Sequence, residues 1–368
     1  MKIAILGTRG VPNYHGGFEQ FAEFFSIFLV EKKHEVYVYN SSLHPYKDNI
    51  FKGVNLIHCK DPENKIGTAG QFIYDLNCIL DSRKKNFDVI LQLGYTSSSI
   101  WYFLLPKKPI IITNMDGLEW KRSKYSKKVQ KFLKFAEKLG ANHSDFLISD
   151  SKGIQEYLKS KYNKSSQFIA YGAELFLNPK EDKLKDYKLT PYQYNLLIAR
   201  MEPENNIETI IKGIINSNDL KPLIIIGNYK NTEYGKYLYS SYKDNTQIKF
   251  IGAIYDLEML NNIRYYSNLY FHGHSVGGTN PSLLEAMASN CLIVAHNNIF
   301  NKSILGEDAF YFSNEEEITQ TVKKLNKQDN RIKIENNTKK IQKYYTWDII
   351  NNKYLEFIIQ CLEEKVQI

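Results

Sequence analysis

The stretch HSVGGTNPSLLEAMA, His274 to Ala288, places two glycines, a Thr-Asn pair and a proline ahead of an apolar segment that reads as a helix. Asn280 is a preferred N-cap and Pro281 a favoured first helical residue, while Leu283, Leu284, Ala286 and Met287 supply an inward face. The free N–H groups and positive dipole end of such a terminus attract a phosphate. Gly277 and Gly278 keep side chains out of the way, leaving the Gly277–Thr279 amides and His274 beside the same terminus. Glu285, one turn in, is positioned to accept hydrogen bonds from sugar hydroxyls; its plainer role, complementing the dipole, is worth ~0.3–1 kcal/mol. Together these residues favour capture of a nucleotide diphosphate.

A second cation source lies upstream. The run YNLLIA ends at Arg200, followed by MEPENN with Asn205 and Asn206. An arginine at the carboxyl end of a strand can grip a diphosphate bidentately. The alternative is an exposed pair with Glu202 or Glu204, worth ~0–1 kcal/mol. Gly227 and the GAIY of Gly252–Tyr255 end neighbouring apolar runs. Near the N-terminus, GTRGVPNYHGGFEQF carries Gly7, Gly10, Gly16 and Gly17, which permit close backbone approach to a phosphate or sugar or simply shape a turn. It is not G-x-G-x-x-G, and EVYVYN ends at Asn40 rather than at an acid, so both signals of a dinucleotide-binding dehydrogenase are missing.

The elements that must position these loops alternate along the chain. KIAIL, EVYVY, VNLIH, FDVILQL, PIIIT, FLIS and QFIA read as strands in the first half. YNLLIA, PLIIIG, QIKFIG, NLYFHG, CLIVAH and AFYF repeat the pattern in the second. Amphipathic segments such as Phe18–Glu31 separate them, so the strands are parallel and buried on both faces. A polar stretch from Glu174 to Tyr194 reads as a linker. The expected architecture is α/β: two doubly wound Rossmann-like domains facing across a cleft, residues 1–175 and 176–345. Residues 346–368 form a helix returning toward the first domain.

Length and composition agree with this: 368 residues, 43% hydrophobic and 24% charged, suit two soluble globular domains. No signal-like leader and no apolar run near the ~20 residues of a membrane span is present, so a cytoplasmic location is expected. Four scattered cysteines without C-x-x-C argue against a zinc site or disulfide scaffold. The net charge of +8 fits an anionic substrate or surface without choosing between them.

The segments GTRGVPNYHGGFEQF, NMDGLEWKRSKYS, SDSKGIQEYL, YGAE, ARMEPENN and HGHSVGGTNPSLLEAMA together resemble retaining glycosyltransferases of family 4, which have the GT-B fold. Within that family they are similar to the bacterial rhamnosyltransferase branch of polysaccharide synthesis. The resemblance implies an acceptor held mainly by residues 1–175 and a sugar nucleotide held mainly by residues 176–345, with a nucleobase near Ile254 and Tyr255, a ribose on Glu285, and a diphosphate on Arg200 and the Pro281 terminus. It implies dTDP-L-rhamnose as donor, as co-substrate with no cofactor, and a saccharide or polyprenyl-linked acceptor. Two positions depart from the family pattern: Gly277 replaces a glutamate eight residues before Glu285, and Asn205 replaces a lysine five after Arg200. Asn205, Asn206 or the Gly277–Thr279 amides are the compensating donors open to this chain.

No D-x-D occurs in the chain, and Arg200 with a helix terminus can stabilise a departing diphosphate without metal, so metal independence is expected. Asp116, in NMDGLEW, is the first candidate to accept the acceptor's proton, unless it only caps its turn; His15 is the second. Trp120–Lys138 has eight basic residues and one acid, Glu137, with Val129, Phe132, Leu133, Ala136 and Leu139 on one face. It suits an anionic membrane surface, or the solvated side of an ordinary helix. No nucleic-acid motif is present. A GT-B sugar-nucleotide epimerase and a non-catalytic nucleotide-sugar-binding partner are the competing readings.

Overall fold

A computed structural model describes residues 1–14, 16–122, 125–276 and 278–366 of the chain. These form two units: Met1–Lys121, Tyr125–Gly172 and Trp347–Ile368 in the first, Arg122–Lys124 and Ala173–Thr346 in the second.

The first unit is built on strands β1 (Lys2–Leu6), β2 (Glu35–Ser41), β3 (Ile50–Phe51), β4 (Val54–Cys59), β5 (Val89–Leu93), β6 (Ile110–Asn114), β7 (Phe146–Ser149) and β8 (Gln167–Phe168). Their order is β3-β4-β2-β1-β5-β6-β7-β8, parallel throughout except for β3 against β4. β3 is absent from the sequence reading. β5 is fully buried along its length, as a parallel strand covered on both faces must be. The Gly17–Glu31 helix turns Phe21, Ala22, Phe25, Phe28 and Leu29 inward. The closing helix, Trp347–Val366, lies on it: Trp347 stacks on Phe24 at 4.6 Å, and Tyr354 meets Phe21 at 4.4 Å. Tyr354 also accepts a 2.8 Å hydrogen bond from Asn114 at the end of β6, which fixes that strand end.

The second unit holds β9 (Asn195–Ile198), β10 (Leu223–Ile226), β11 (Ile248–Gly252), β12 (Tyr270–His272), β13 (Ile293–His296) and β14 (Phe310–Phe312). The order is β11-β10-β9-β12-β13-β14, all parallel. Leu197, Ile210, Ile214, Leu223, Ile225, Phe271 and Val294 form its core; each such side chain contributes roughly 1.5–3 kcal/mol on burial. The polar 174–194 stretch is docked on this unit. Glu181–Tyr187 is a short 3-10 helix with Leu184 buried, and the Lys180 N–H donates to Asn262 at 2.6 Å.

In each sheet the chain first runs outward one way and then the other. The reversal falls between β1 and β5 in the first unit and between β9 and β12 in the second. In open parallel sheets ligands bind beyond the carboxyl ends of the strands at this reversal.

Candidate functional site

Two loops leave the reversal of the second sheet: Arg200–Asn206 after β9 and Gly273–Asn280 after β12. They are sewn together through the backbone. Asn206 Nδ2 donates to the Gly273 carbonyl at 2.8 Å, and Ser275 donates both its N–H, at 3.0 Å, and its hydroxyl, at 2.8 Å, to the Glu204 carbonyl. Gly273 must be glycine, because a Cβ there would stand 1.9 Å from the Asn205 carbonyl oxygen. Asn205 is buried and its Nδ2 donates to the Arg200 carbonyl at 2.7 Å. Both asparagine amides therefore shape the loop. The Arg200 guanidinium is exposed.

The Pro281–Ala288 helix begins as its residue types require. Asn280 Oδ1 accepts the Ser282 N–H at 2.9 Å and Pro281 is the first helical residue. Thr279 is buried and Gly278 half-buried ahead of it. Glu285 is beyond the first turn, so complementing the dipole is not its role. It pairs with Arg264, whose Nη2 lies 2.5 Å from Glu285 Oε2. Arg264 comes from the Leu257–Tyr265 helix, is only 1% exposed, and donates from Nη1 to Asn261 Oδ1 at 2.9 Å. A buried pair of this kind fixes geometry more than it adds stability, since desolvation offsets much of the attraction. It holds the carboxylate in one orientation while leaving its side chain 19% exposed. Arg264 was absent from the sequence reading.

Histidines cluster at the same strand ends. His272, 1% exposed, stacks on His274 at 4.4 Å with the rings 15° from parallel. His296, ending β13, accepts at Nδ1 from Asn298 Nδ2 at 3.1 Å. Burial, then Arg200, pushes the His274 pKa down to about 3; burial, then His274 and His296, pushes His272 well below the usual imidazole range. Across the sheet, the Gly227 N–H donates to the Gly252 carbonyl at 2.9 Å, tying the loops after β10 and β11. Ile254 is half-buried and Tyr255 presents its ring to solvent, 83% exposed. Asp256 then caps the helix that carries Arg264, accepting the Met259 N–H at 3.1 Å.

In the first unit, Gly16 precedes the Gly17–Glu31 helix and offers no side-chain cap. Carboxylates of that helix hold the glycine loop instead: Glu19 accepts the Arg9 N–H at 3.0 Å and Glu23 the Asn13 N–H at 2.7 Å. Asn40, fully buried, clamps the loop from the other side. Its Oδ1 accepts the Val11 N–H at 3.1 Å and its Nδ2 donates to the Val11 carbonyl at 2.8 Å. Gly10, at φ +125°, has no room for a Cβ, which would meet the Asn40 side chain at 2.3 Å. Asp116 follows β6 in the left-handed region, φ 50°, with its N–H on Asn114 Oδ1 at 2.9 Å. Burial first, then the charges of Asp116 after β6 and Asp150 after β7, raises the Tyr171 hydroxyl pKa. His15 and Gly277 lie outside the described residues.

Within the basic segment, the Lys127–His143 helix buries Leu133, Ala136, Glu137, Gly140 and Ala141. Its predicted apolar face is thus largely turned inward, with Val129 and Phe135 exposed among the lysines. Glu137, itself buried, is the hub of a half-buried aromatic cage, accepting Tyr157 and Tyr162 hydroxyls at 2.7 Å each and Trp120 Nε1 at 3.0 Å. Lys134 lies over the Trp120 ring at 4.6 Å. Among the described residues no group of three or more His, Cys, Asp or Glu could hold a metal ion, and no helix is long and apolar enough to cross a membrane.

Two parallel-sheet α/β units of this kind have the fold of the GT-B glycosyltransferases. Residues 180–342 match the family described as glycosyl transferases group 1, so the second unit carries a glycosyltransferase group 1 domain. Residues 1–174 match a family described as a domain of unknown function, DUF1972. Among curated proteins none matches the chain. Of solved structures, a sucrose-phosphate synthase from Thermosynechococcus elongatus is 14% identical, with a TM-score of 0.83 over 99% of each chain. HepE of Anabaena, solved with UDP-glucose, is 14% identical, with a TM-score of 0.73 over 97% of this chain and 99% of its own. A trehalose 6-phosphate synthase from Burkholderia multivorans is 10% identical, with a TM-score of 0.70 over 100% of this chain and 99% of its own.

Proposed function

We propose that the protein is a retaining, metal-independent glycosyltransferase that moves a sugar from a nucleotide diphosphate to a saccharide or polyprenyl-linked saccharide in bacterial surface polysaccharide synthesis. One observation carries the reading: an exposed guanidinium, Arg200, and an Asn280-capped helix terminus leave adjacent strands, β9 and β12, at the reversal of one sheet. Glycosyl transfer builds charge on the departing diphosphate, and preorganised donors aimed at that charge stabilise the transition state most. Glu285, held by Arg264, takes the ribose hydroxyls, and the Ile254–Tyr255 loop takes the base. Asp116 is the proposed proton acceptor for the attacking hydroxyl. The group 1 match and the UDP-glucose bound by HepE support a nucleotide-sugar donor. The choice of dTDP-L-rhamnose rests on the family 4 resemblance. The exposed lysines and Phe135 of the Lys127–His143 helix would meet an anionic membrane carrying the acceptor, from the cytoplasmic side.

The test is a panel of sugar nucleotides, dTDP-L-rhamnose and UDP-glucose included, in the presence of chelator, with and without lipid-linked acceptor. Nucleoside diphosphate released only when acceptor is present supports the reading. Isomerised donor points to an epimerase, binding without turnover to a non-catalytic partner, and activity abolished by chelator removes metal independence.

A further inference from the structure

His272 and His274 are not explained by the fold. β12 lies between β9 and β13, and an apolar side chain at position 272 would fill that buried place without polar atoms. Instead both His272 ring nitrogens and Nδ1 of His274 are buried without a hydrogen-bond partner. An unpaired buried polar group costs about 1–3 kcal/mol. The backbone of His274 is meanwhile held firmly, its carbonyl accepting Asn298 Nδ2 at 3.0 Å and Asn301 Nδ2 at 3.1 Å. The charged and titratable groups facing the pair are Arg200 from the loop after β9, Arg122, grouped with the second unit, and His296 at the end of β13. Glu204 reaches this loop through its backbone carbonyl. Beyond burial, Arg200 and Arg122 lower the proton affinity of His274, and His296 lowers that of His272, so a proton on the pair is opposed until an anion arrives.

We infer that the stacked His272–His274 pair takes up one proton from solvent when the nucleoside diphosphate binds beside Arg200, becoming a second cationic hydrogen-bond donor to the leaving group. The low ordinary affinity of His274 for a proton, pushed to about 3 by burial and then by Arg200, agrees with a neutral resting state. An incoming diphosphate reverses the sign of the local field and satisfies the orphaned ring nitrogen. No bond is made or broken besides the N–H formed with the solvent proton. The inference rests on the nucleotide-sugar reading of the site and adds to it a proton-linked affinity.

The experiment is titration calorimetry of the full chain with UDP and with dTDP, in buffers of different ionisation enthalpy, on the wild type and His274→Gln. The ligand's own phosphate ionisation is common to both proteins and cancels in the comparison. Wild type is expected to take up about one proton more than His274→Gln, and its Kd to rise by up to about tenfold per pH unit across the linked range. His274→Gln is expected to bind about tenfold more weakly than wild type at pH 6.5, with the difference closing by pH 8.5. Nitrogen NMR of the histidine rings in wild type, with and without UDP, gives a reading independent of the variant's folding: an imidazolium pattern appearing on ligand addition supports the inference. Diphosphate binding with equal proton counts and unprotonated rings overturns it while leaving the donor site intact. No diphosphate binding at all overturns both.

Discussion

Replacing Arg264 with leucine isolates the group that orients Glu285. The arginine is 1% exposed, with Nη2 on Glu285 at 2.5 Å and Nη1 on Asn261 at 2.9 Å. Breaking a buried pair from one side costs about 3–5 kcal/mol because the remaining charge is stranded. Glu285 keeps 19% of its side chain in water, so part of that cost is recovered and a loss of about 2–3 kcal/mol is expected. For a unit of this size the loss lowers Tm by roughly 4–12 °C. Adding Glu285→Leu removes the stranded carboxylate and should return about half the loss, giving a coupling of about 1 kcal/mol or more. Scanning calorimetry of the full chain measures the stability, and UDP titration the function. Arg264→Leu should weaken nucleotide binding through the misoriented carboxylate, and the double variant should bind no better despite its recovered stability. If Arg264→Leu keeps both Tm and affinity, or if the double variant is no more stable than the single, the pair does not hold the site.

Arg200→Ala should lower kcat/KM by at least about tenfold, ~1.4 kcal/mol of transition-state stabilisation; unchanged kinetics in steady-state assays would remove Arg200 from the donor site. Asn40→Asp places an acid where a dinucleotide-binding protein carries one, but here it strips the donor from the Val11 carbonyl at a fully buried position. It should destabilise the first unit by about 2 kcal/mol without conferring NAD binding, as thermal unfolding and a cofactor titration would report. Asp75, 7% exposed and hydrogen-bonded by Ser97 at 2.6 Å, has its pKa lifted to about 7 by burial, with the Asp61 charge adding to the rise. Its folded value lies above the ordinary one near 3.8, so the native state holds the proton more tightly and stability falls as pH rises from about 4 to 7. The full effect is at most about 4 kcal/mol. Asp75→Asn should therefore gain stability over wild type progressively across that window, and a difference independent of pH would refute the assignment.

The architecture was legible because parallel strands buried on both faces leave continuous apolar runs, and each run quoted from the sequence falls on a strand. Capping was legible for the same local reason: Asn280 and Pro281 act within one turn of where they stand. What failed to show was whatever depends on distance along the chain. Glu285 could be read as a ribose acceptor or a dipole partner, but its actual neighbour is 21 residues upstream on another helix. Asn40 read only as a missing acid, although it clamps a loop 29 residues away. The 174–194 stretch read as a linker because Leu184, which anchors its short 3-10 helix, is surrounded by charge.

These misses share a physical signature that a sequence can carry. Arg264, His272 and Asn40 are polar residues in phase with buried neighbours: Ile263 beside the first, Phe271 beside the second, Tyr39 beside the third, each essentially inaccessible. Periodicity treats such a residue as noise in an apolar pattern. Physically it is the reverse, because a buried polar group is costly unless it is paired, and the pairing then immobilises whatever it touches. Arg264 is paired and holds a carboxylate, and Asn40 is paired and holds a glycine loop. His272 alone among the three has neither ring nitrogen satisfied. By this logic its partner is supplied by an event, the arrival of anionic charge at the end of β12, rather than by the fold.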